Sequence, residues 1–433
     1  MTTQTDLNRL WRDIVKAGGV NAYVEAQLKE RGYLVDRRDT DGMNKRELDR
    51  YKKELRQEAE EKQRLKAEAW KAYKAEHIVH LGDGIYFNDA DNWDRRDLPD
   101  AEERAAENEL PPLDSPKQLA DALGLSVSKL RWLAYHRDAA SCVHYRRFYI
   151  TKRDGSKRPI WAPLPQLKTA QRWILHNIVE RLPVHGACHG FLTGRSIVTN
   201  ARHHCNSKVI VKMDIKDFFP SVTFPRVKGL FRKAGYREQV SVLLALLCTE
   251  SPREIVEYDG RTWYISMGQR CLPQGAPTSP GITNTLCLSI DRRLSGLAAK
   301  KGWRYTRYAD DLSFSIPADN PADNKEKPEI GVLIGLVTRI IKDEGFAVNR
   351  EKTRIHRSGG RQTVTGLVVN EDESPRVPRK LKRQIRAAVF NLKNGKELKE
   401  GETVQTLAGY AAYIRMTDQK AGQEMLKELM PYL

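Results

Sequence analysis

The chain has 433 residues, a formal net charge of +18 and a sequence pI near 9.5. Such a length allows two or three domains with their own cores, and the excess of Lys and Arg favours a polyanionic partner because neutralised phosphates release condensed counterions. The sequence contains neither an apolar run of about eighteen residues nor a basic segment followed by an apolar core at its N-terminus, which argues against a membrane partner. Six cysteines scattered singly suit reduced thiols, so we expect a cytoplasmic protein.

The first hundred residues predict mainly helices. Apolar residues at helical spacing predict one or two short amphipathic helices over residues 1 to 40, followed by a long, highly charged helix over residues 43 to 78. The apolar heptad of this long helix stops at Glu58. This interruption argues against an extended coiled coil and favours a solvated helix with one thin apolar stripe. Residues 88 to 113, rich in Asn, Asp and Pro, are interpreted as a linker.

A helix-turn-helix pattern occupies residues 115 to 136. Gly124 stands where one helix would end, and Ser126 stands where it would cap the next helix. Such a pair is either a module that reads DNA or a structural element of a larger domain. The residues by themselves leave both interpretations open.

A cation-rich hairpin is predicted over residues 152 to 160. Its Asp154-Gly155 pair is a β-turn signal between two β-prone runs. Lys157 and Arg158 follow this turn and are candidates to grip a triphosphate. Charged hairpins are more often merely solvated, so this role depends on the remaining motifs.

Three aspartates stand where β-type segments end or turn. The run from Val209 to Met213 is typical of a buried strand, and Asp214 falls where this strand emerges. Asp310 and Asp311 stand at the turn between two short β-prone segments. Carboxylates from two strands can hold a pair of Mg²⁺ ions, which is what in-line phosphoryl transfer requires. The sequence therefore predicts a nucleotidyl-transfer site.

Histidines and cysteines between residues 185 and 205 raise the alternative of a zinc site. Cys188 and His189 are adjacent, which is awkward for two ligands of one tetrahedral ion, and the chain contains no C-x-x-C pair. We therefore disfavour zinc at this segment.

A basic helix is predicted beyond Pro375. Its cations include Arg379, Arg383 and Arg386, and its apolar residues recur on the opposite face. One face is predicted to pack and the other to follow a phosphate backbone. A second helix is predicted from Leu407 to Ile414, with Gly409 permitting close approach of a neighbour.

Five segments, taken in order, resemble motifs of reverse transcriptases. Three are similar to motifs A, B and C of these enzymes, and two, N-A-x-x-H and V-T-G, are typical of bacterial retron enzymes. The segments are Asn200 to His204, Asp214 to Ser221, Leu272 to Pro280 with a predicted helix from Gly281 to Leu294, Tyr308 to Asp311, and Val364 to Gly366. The resemblance extends from about residue 115 to residue 433.

The resemblance implies an α+β right-hand polymerase with fingers, palm and a short helical thumb, preceded by a helical extension. The implied divisions are an extension and linker over residues 1–113, fingers over 114–212, palm over 213–374 and thumb over 375–433. Similar helices open the fingers of retron enzymes, so the resemblance favours a structural role for residues 115 to 136.

The resemblance also implies roles for individual residues. Asp214 and Asp310 are implied metal ligands, with Asp311 as the supporting acid at the same metal site. Phe219 is the implied bulky residue that excludes a ribose 2′-hydroxyl. Four residues are implied to border the nucleotide, with the last as proton donor to the departing pyrophosphate: Lys157, Arg158, Gln274 and Lys352. Eight are implied to contact RNA or template: Asn200, His204, Val364, Thr365, Gly366, Arg379, Arg383 and Arg386.

The implied activity is the copying of part of a cognate noncoding RNA, the msr-msd RNA, into branched RNA-linked DNA. Synthesis would start from an internal guanosine 2′-hydroxyl and use dNTPs and two Mg²⁺ ions. Implied partners are that RNA and its DNA product, a host ribonuclease H and a separate effector protein in antiphage defence. Two alternatives stay open: an intron-type or diversity-generating reverse transcriptase, and an RNA-binding scaffold or antitoxin component in which polymerisation is secondary.

Overall fold

The computed structural model describes residues 4–87, 98–151, 155–318, 329–371, 374–399 and 401–433. The chain forms two compact units whose segments alternate along the sequence. The first unit comprises Met1–Arg146, Leu164–Trp173 and Phe224–Gln269, and the second comprises Arg147–Pro163, Ile174–Thr223 and Arg270–Leu433. Within the described ranges, no helix has the length and apolar character needed to cross a membrane.

The elements give a mixed α+β fold, as predicted. The helices are α1 (Gln4–Lys16), α2 (Val20–Glu30), α3 (Lys45–Glu76), α4 (Ala101–Glu107), α5 (Pro116–Ala122), α6 (Val127–Ala134), α7 (Pro165–Asn177), α8 (Ile197–Arg202), α9 (Phe224–Ala234), α10 (Glu238–Cys248), α11 (Thr278–Leu286), α12 (Leu288–Lys300), α13 (Ile330–Asp343), α14 (Arg379–Lys393), α15 (Val404–Arg415) and α16 (Gln419–Leu429). The strands are β1 (Ala139–Ala140), β2 (Tyr145–Thr151), β3 (Lys157–Pro163), β4 (Ser207–Asp214), β5 (Arg253–Tyr258), β6 (Arg261–Ser266), β7 (Arg304–Tyr308), β8 (Asp311–Pro317), β9 (Arg354–Arg357), β10 (Thr363–Val364) and β11 (Leu367–Val368).

Helix α3 of the first unit carries α1 and α2 on its apolar stripe. Ile14 packs against Ala69 and Ala72, and Leu28 packs against Leu65. A capping box at Asn44 fixes where α3 begins. The predicted short amphipathic helices and the long charged helix are therefore confirmed.

Glu58, which interrupts the heptad of α3, is buried. Its carboxylate accepts two hydrogen bonds of 2.8 Å from the Arg37 guanidinium and one of 3.2 Å from the Val35 amide. The bond from Arg37 lowers the pKa of Glu58. The prediction of a helix solvated at this position is wrong, because the segment after α2 brings a cation that satisfies the buried acid.

Helix α4 lies inside the segment predicted to be a linker. That prediction is wrong for Ala101–Glu107, which packs at the end of α9. The backbone at Gly235 lies close to the start of α4, since a Cβ built on Gly235 would lie 2.4 Å from the Ala101 carbonyl oxygen. Residues 88–97 of the predicted linker lie outside the described residues.

The helix-turn-helix pattern is confirmed as α5 and α6. The Ser115 and Ser126 side chains cap the two helices by accepting from the amides of Gln118 and Lys129. Gly124, in the connecting turn, has φ of +66°, a conformation that glycine adopts without penalty.

The second unit is built on a four-stranded antiparallel sheet with the order β7-β8-β4-β9. Strand β4 lies inside this sheet, and its residues Val209, Ile210 and Val211 are buried. The predicted strand and hairpin are thus confirmed. The helix predicted from Gly281 begins earlier, at Thr278, and is divided into α11 and α12 at Cys287.

Two smaller hairpins lie in the second unit, apart from the first two residues of β2. Strands β2 and β3 pair as predicted, although residues 152–154 of their turn lie outside the described part. Strands β10 and β11 form a short hairpin whose two turn residues, Thr365 and Gly366, have φ of +46° and +84°. Positive φ at both positions is typical of a type I′ turn.

The C-terminal helices α14, α15 and α16 share one core with α8 and the β10–β11 hairpin. The helices predicted around Ile385 and from Leu407 to Ile414 are confirmed. The role predicted for Gly409 is wrong, because within the described ranges no neighbouring element has an atom within 4 Å of a Cβ built there. Gly422 of α16 makes the close approach instead, with a Cβ position 2.5 Å from the Arg415 backbone.

Candidate active site

The ends of neighbouring strands bring the three predicted acids together. Asp214 at the end of β4 is the cross-strand partner of Asp311 at the start of β8. Directly opposed side chains lie on the same face of a sheet with Cβ atoms about 5 Å apart. Asp310 precedes Asp311 in the tight turn. The Asp310 carbonyl oxygen accepts a 2.9 Å hydrogen bond from the amide of Ile215.

The turn that carries Asp310 is tight and strained. Tyr308 pairs with Asp311, so only Ala309 and Asp310 connect β7 to β8. Ala309 has φ of +55°, a left-handed conformation that costs an L-residue roughly 1–2 kcal/mol. A hairpin tip in this conformation persists only when its surroundings hold it.

The site concentrates negative charge in a partly buried place. Burial and, after it, the Asp311 and Asp214 carboxylates raise the pKa of Asp310 to about 6. Burial is also the main cause that raises the pKa of Asp311. Ionised carboxylates this close repel each other, and a bound cation would relieve that repulsion.

Lys352 supplies one cation to this site. Its ammonium lies 3.0 and 2.8 Å from the two Asp214 carboxylate oxygens, and this contact raises the pKa of Lys352. The residue predicted as a proton donor is therefore an ion-pair partner of a predicted metal ligand in the protein alone.

The donor set fits Mg²⁺ bound together with a substrate. Among the described residues, no three His, Cys, Asp or Glu side chains form a ready-made metal cage. Mg²⁺ is usually held by one or two carboxylates plus waters and substrate phosphates, and not by an all-protein cage. Hard carboxylate oxygens at the ends of β4 and β8 match that mode of binding.

Phe219 and Gln274 belong, like the three acids, to the second unit. Phe219 is half-buried, and its ring centroid lies 5.5 Å from that of the buried Phe218. The Gln274 carbonyl accepts a 2.8 Å hydrogen bond from the amide of Trp161 on β3, which joins the Pro/Gly-rich loop to the β2–β3 hairpin. Lys157 and Arg158 are exposed on β3.

The two retron-type signatures lie against each other although they are far apart in sequence. Helix α8, which contains Asn200, packs on the β10–β11 hairpin, and the Thr365 hydroxyl donates to the Ile197 carbonyl over 3.1 Å. The side chains of Asn200 and Val364 are buried. Among the residues that the structure describes, neither side-chain amide atom of Asn200 finds a hydrogen-bond partner. Of these signature residues, Thr365 is partly accessible and Gly366 is exposed.

His204 is fully buried under the β7–β8 hairpin. Its ring nitrogens lie 2.8 Å from the Ser315 hydroxyl and 2.7 Å from the Thr306 hydroxyl. Burial lowers the pKa of His204 to about 3, so the ring is neutral. A direct RNA contact, as predicted for His204, Asn200 and Val364, would require these side chains to leave the core. In this conformation the His204 ring instead contacts hydroxyls of β7 and β8, and Val364 packs in the core shared with the C-terminal helices.

Two residues of the alternative zinc site also have other partners. Cys188 donates to the Asn284 side-chain oxygen over 3.1 Å, and His189 lies 3.0 Å from the Thr199 hydroxyl. These contacts use the thiol and one ring nitrogen for structural hydrogen bonds.

The predicted basic face of α14 is exposed. Arg379, Arg383 and Arg386 lie on the solvent side of the helix, while Ile385 and Val389 are buried on the other. This arrangement is the amphipathic division that the sequence predicted.

Sequence reasoning missed an ion pair behind the acids. Asp291 of α12 and Arg307 of β7 have no exposed side-chain surface, and their closest atoms are 2.7 Å apart. A signal was present in the sequence. Asp291 falls on the same helix face as the apolar residues Cys287, Leu294 and Ala298, and Arg307 directly precedes the Tyr308-Ala309-Asp310-Asp311 motif.

Comparison with known proteins gives consistent relatives. The reverse transcriptase (RNA-dependent DNA polymerase) family model matches residues 150–384. The chain is 51% identical over 422 residues to the Retron Mx162 reverse transcriptase of Myxococcus xanthus, covering 96% of this chain and 87% of that one. It is 40% identical to the Retron Mx65 reverse transcriptase of the same organism, covering 78% and 77%, respectively. It is 31% identical to the Retron Ec86 reverse transcriptase of Escherichia coli, covering 73% and 89%.

Proposed function

The chain belongs to the retron reverse transcriptases and is an RNA-directed DNA polymerase, and we propose that Asp214, Asp310 and Asp311 form its polymerase active site. The observation that carries this proposal is the β4–β8 register, which sets Asp214 opposite Asp311 at the hairpin tip. The raised pKa of Asp310 supports it, because it reflects burial first and then the neighbouring Asp311 and Asp214 carboxylates.

Two Mg²⁺ ions would be held by these carboxylates. When bound, such a pair activates the attacking hydroxyl and neutralises charge on the transferred phosphate and the leaving oxygen. Lys352 neutralises Asp214 in the protein alone. Released from that contact, its ammonium would protonate the departing pyrophosphate, which is general acid catalysis.

The incoming dNTP would lie between the acids and the β2–β3 hairpin. Phe219 would pack under the deoxyribose and exclude a 2′-hydroxyl sterically, a role that suits an aromatic ring left half-buried beside Phe218. Gln274 would border the base, since its loop is tied to β3. Lys157 and Arg158, exposed on that strand, would bind the triphosphate.

The template would be the cognate msr-msd RNA, part of which is copied into RNA-linked DNA (msDNA) from an internal 2′-hydroxyl. The exposed Arg379, Arg383 and Arg386 of α14 would follow its phosphates. Thr365 and Gly366 offer the accessible part of the paired signatures. A host ribonuclease H and a separate effector protein in antiphage defence complete the proposed partners, with fingers, palm and thumb divided as the sequence predicts.

The test uses cells that carry the locus with either the wild-type gene or an Asp310→Asn, Asp311→Asn variant. Wild-type cells should yield short DNA joined to RNA through a 2′-5′ bond, detected by its sensitivity to a debranching enzyme, and the variant should yield none. Asp217→Asn, which removes one exposed carboxylate from the same unit, is the control. Unchanged DNA from the double variant would refute the role of the acids. Unbranched DNA from the wild type would instead favour an intron-type or diversity-generating enzyme.

A further inference from the structure

A fully buried ion pair lies directly behind the catalytic turn. The Arg307 guanidinium donates from Nε to Asp291 Oδ1 over 2.8 Å and from Nη2 to Oδ2 over 2.7 Å. The Tyr305 hydroxyl donates to the same Oδ1 over 2.8 Å. Asp291 is therefore satisfied on both oxygens, and the plane of the guanidinium is fixed by a two-point contact.

The remaining nitrogen of Arg307 reaches the turn itself. Nη1 donates to the Ala309 carbonyl oxygen over 3.2 Å and to the Asn284 side-chain oxygen over 3.1 Å. Ala309 is the left-handed residue of the hairpin tip and directly precedes Asp310. We propose that Arg307, oriented by Asp291, is a positioning residue that holds this turn and so sets where Asp310 and Asp311 present their carboxylates. This inference rests on the proposed catalytic role of the acids.

We call the Asp291–Arg307 pair the clamp. Backbone contacts on the other side of the turn hold the turn as well. The Arg307 amide donates to the Ala187 carbonyl, and the His189 amide donates to the Arg307 carbonyl, each over 2.8 Å. The chain then passes so close to the turn that a Cβ on Gly190 would lie 2.8 Å from the Ala309 nitrogen. The turn is therefore held at its carbonyl by Arg307 and confined at its amide by Gly190.

A contribution to folding stability does not by itself explain why a charged pair, and not an apolar pair, occupies this buried position. Removing two ions from water costs several kcal/mol each, and well-packed apolar residues of similar volume often replace a buried ion pair without loss. An apolar pair, however, cannot donate a hydrogen bond to the Ala309 carbonyl. The specific geometry at the turn is thus what the pair contributes beyond packing.

The experiment compares two double variants of the full chain. Asp291→Leu with Arg307→Met removes the clamp but fills its space, and no buried charge is left unpaired. Glu250→Leu with Arg253→Met removes another well-buried ion pair, 3.1 Å between its closest atoms, from the first unit. Four quantities are measured: the thermal unfolding temperature, Mn²⁺ binding to the nucleic-acid-free protein by electron paramagnetic resonance, kcat with KM for dNTP on a primed RNA template, and hydrogen exchange of the turn.

We expect the clamp variant to fold and to lose about 10- to 100-fold in Mn²⁺ affinity and in kcat, the usual effect of removing groups that orient metal ligands. Hydrogen exchange in the peptide spanning residues 305 to 314 should become faster. The control variant should keep the wild-type Mn²⁺ affinity, kcat and hydrogen exchange. Gly190→Ala, which pushes on the turn from the opposite side, should reproduce the losses with the ion pair intact.

A folded clamp variant with wild-type Mn²⁺ affinity, kcat and exchange would overturn the proposal. Should that variant not fold, Arg307→Lys decides, because it keeps the charge opposite Asp291 but not the three-way fork. A folded Arg307→Lys enzyme with the same losses supports the positioning role. A folded Arg307→Lys enzyme with wild-type Mn²⁺ affinity and kcat overturns the proposal. An Arg307→Lys protein that does not fold shows that the ion pair is purely structural, which also overturns the proposal. The proposed catalytic role of the acids is tested separately, because polymerisation by the Asp310→Asn, Asp311→Asn variant would refute that role.

Discussion

Replacing Asp310 by Asn should make the metal-free protein more stable at neutral pH while it abolishes polymerisation. Burial and two neighbouring carboxylates raise the pKa of Asp310 from an ordinary 3.8 to about 6. At about 1.4 kcal/mol per pKa unit, ionising this group in the folded protein costs about 3 kcal/mol. Asn keeps the shape and loses the charge, but its amide is also partly buried. We therefore expect a gain of about 1–3 kcal/mol, or several degrees in unfolding temperature.

The pH dependence gives the sign of this effect. The folded-state pKa lies above the unfolded one, so the folded protein holds this proton more tightly. Its stabilising contribution is complete below pH 3.8 and is lost as the pH rises through 6. The advantage of Asp310→Asn should thus be small near pH 3.8, about half developed at pH 5 and full at pH 7.5.

Thermal unfolding in EDTA at several pH values measures this difference, with Asp217→Asn as a control for the loss of one exposed carboxylate. Added Mg²⁺ should stabilise the wild type and not the variant, because only a protein that binds the ion gains from it. If Asp310→Asn unfolds at a lower temperature than wild type in EDTA at pH 7.5, or if the difference does not change with pH, the reasoning that burial and neighbouring carboxylates destabilise the ionised Asp310 is refuted.

Three further outcomes are expected. Phe219→Ala should raise ribonucleotide use relative to deoxyribonucleotide use by at least about tenfold in kcat/KM; an unchanged ratio would remove Phe219 from sugar selection. Arg383→Ala with Arg386→Ala should weaken template binding and lower the slope of log Kd against log salt by about 2; an unaltered slope would mean that these cations do not meet phosphate. His204→Phe leaves the Ser315 and Thr306 hydroxyls without their His204 partner, at about 1–3 kcal/mol each. The unfolding temperature of this variant should therefore fall well below that of a His203→Ala control. Equal unfolding temperatures would contradict a structural role for the His204 hydrogen bonds.

Much of the site could be read from local pattern. A buried strand that ends in Asp214 and a hairpin that presents Asp310 follow from periodicity and turn residues, and the structure confirms both elements. The amphipathic division of α14 is equally local. These features depend on the alternation and spacing of side chains within one segment, which the sequence states directly.

Burial of polar residues could not be read in the same way. Glu58 looks like a solvated break in a helix until Arg37 arrives from a separate segment. His204 looks like a residue that contacts RNA until β7 and β8 supply two hydroxyls to its ring. In each case the partner is distant in sequence, and a buried polar group is tolerated only where such a partner satisfies it.

The chemistry available to this chain is therefore set by its motifs, whose acids, aromatic ring and cations are visible residue by residue. Tertiary structure alone decided that Asp214 faces Asp311, that the two retron-type signatures meet, and that Arg307 reaches behind the turn to Ala309. The reason is physical. Strand register and side-chain burial arise from the pairing of remote segments, and no local pattern encodes which remote segment will supply the partner.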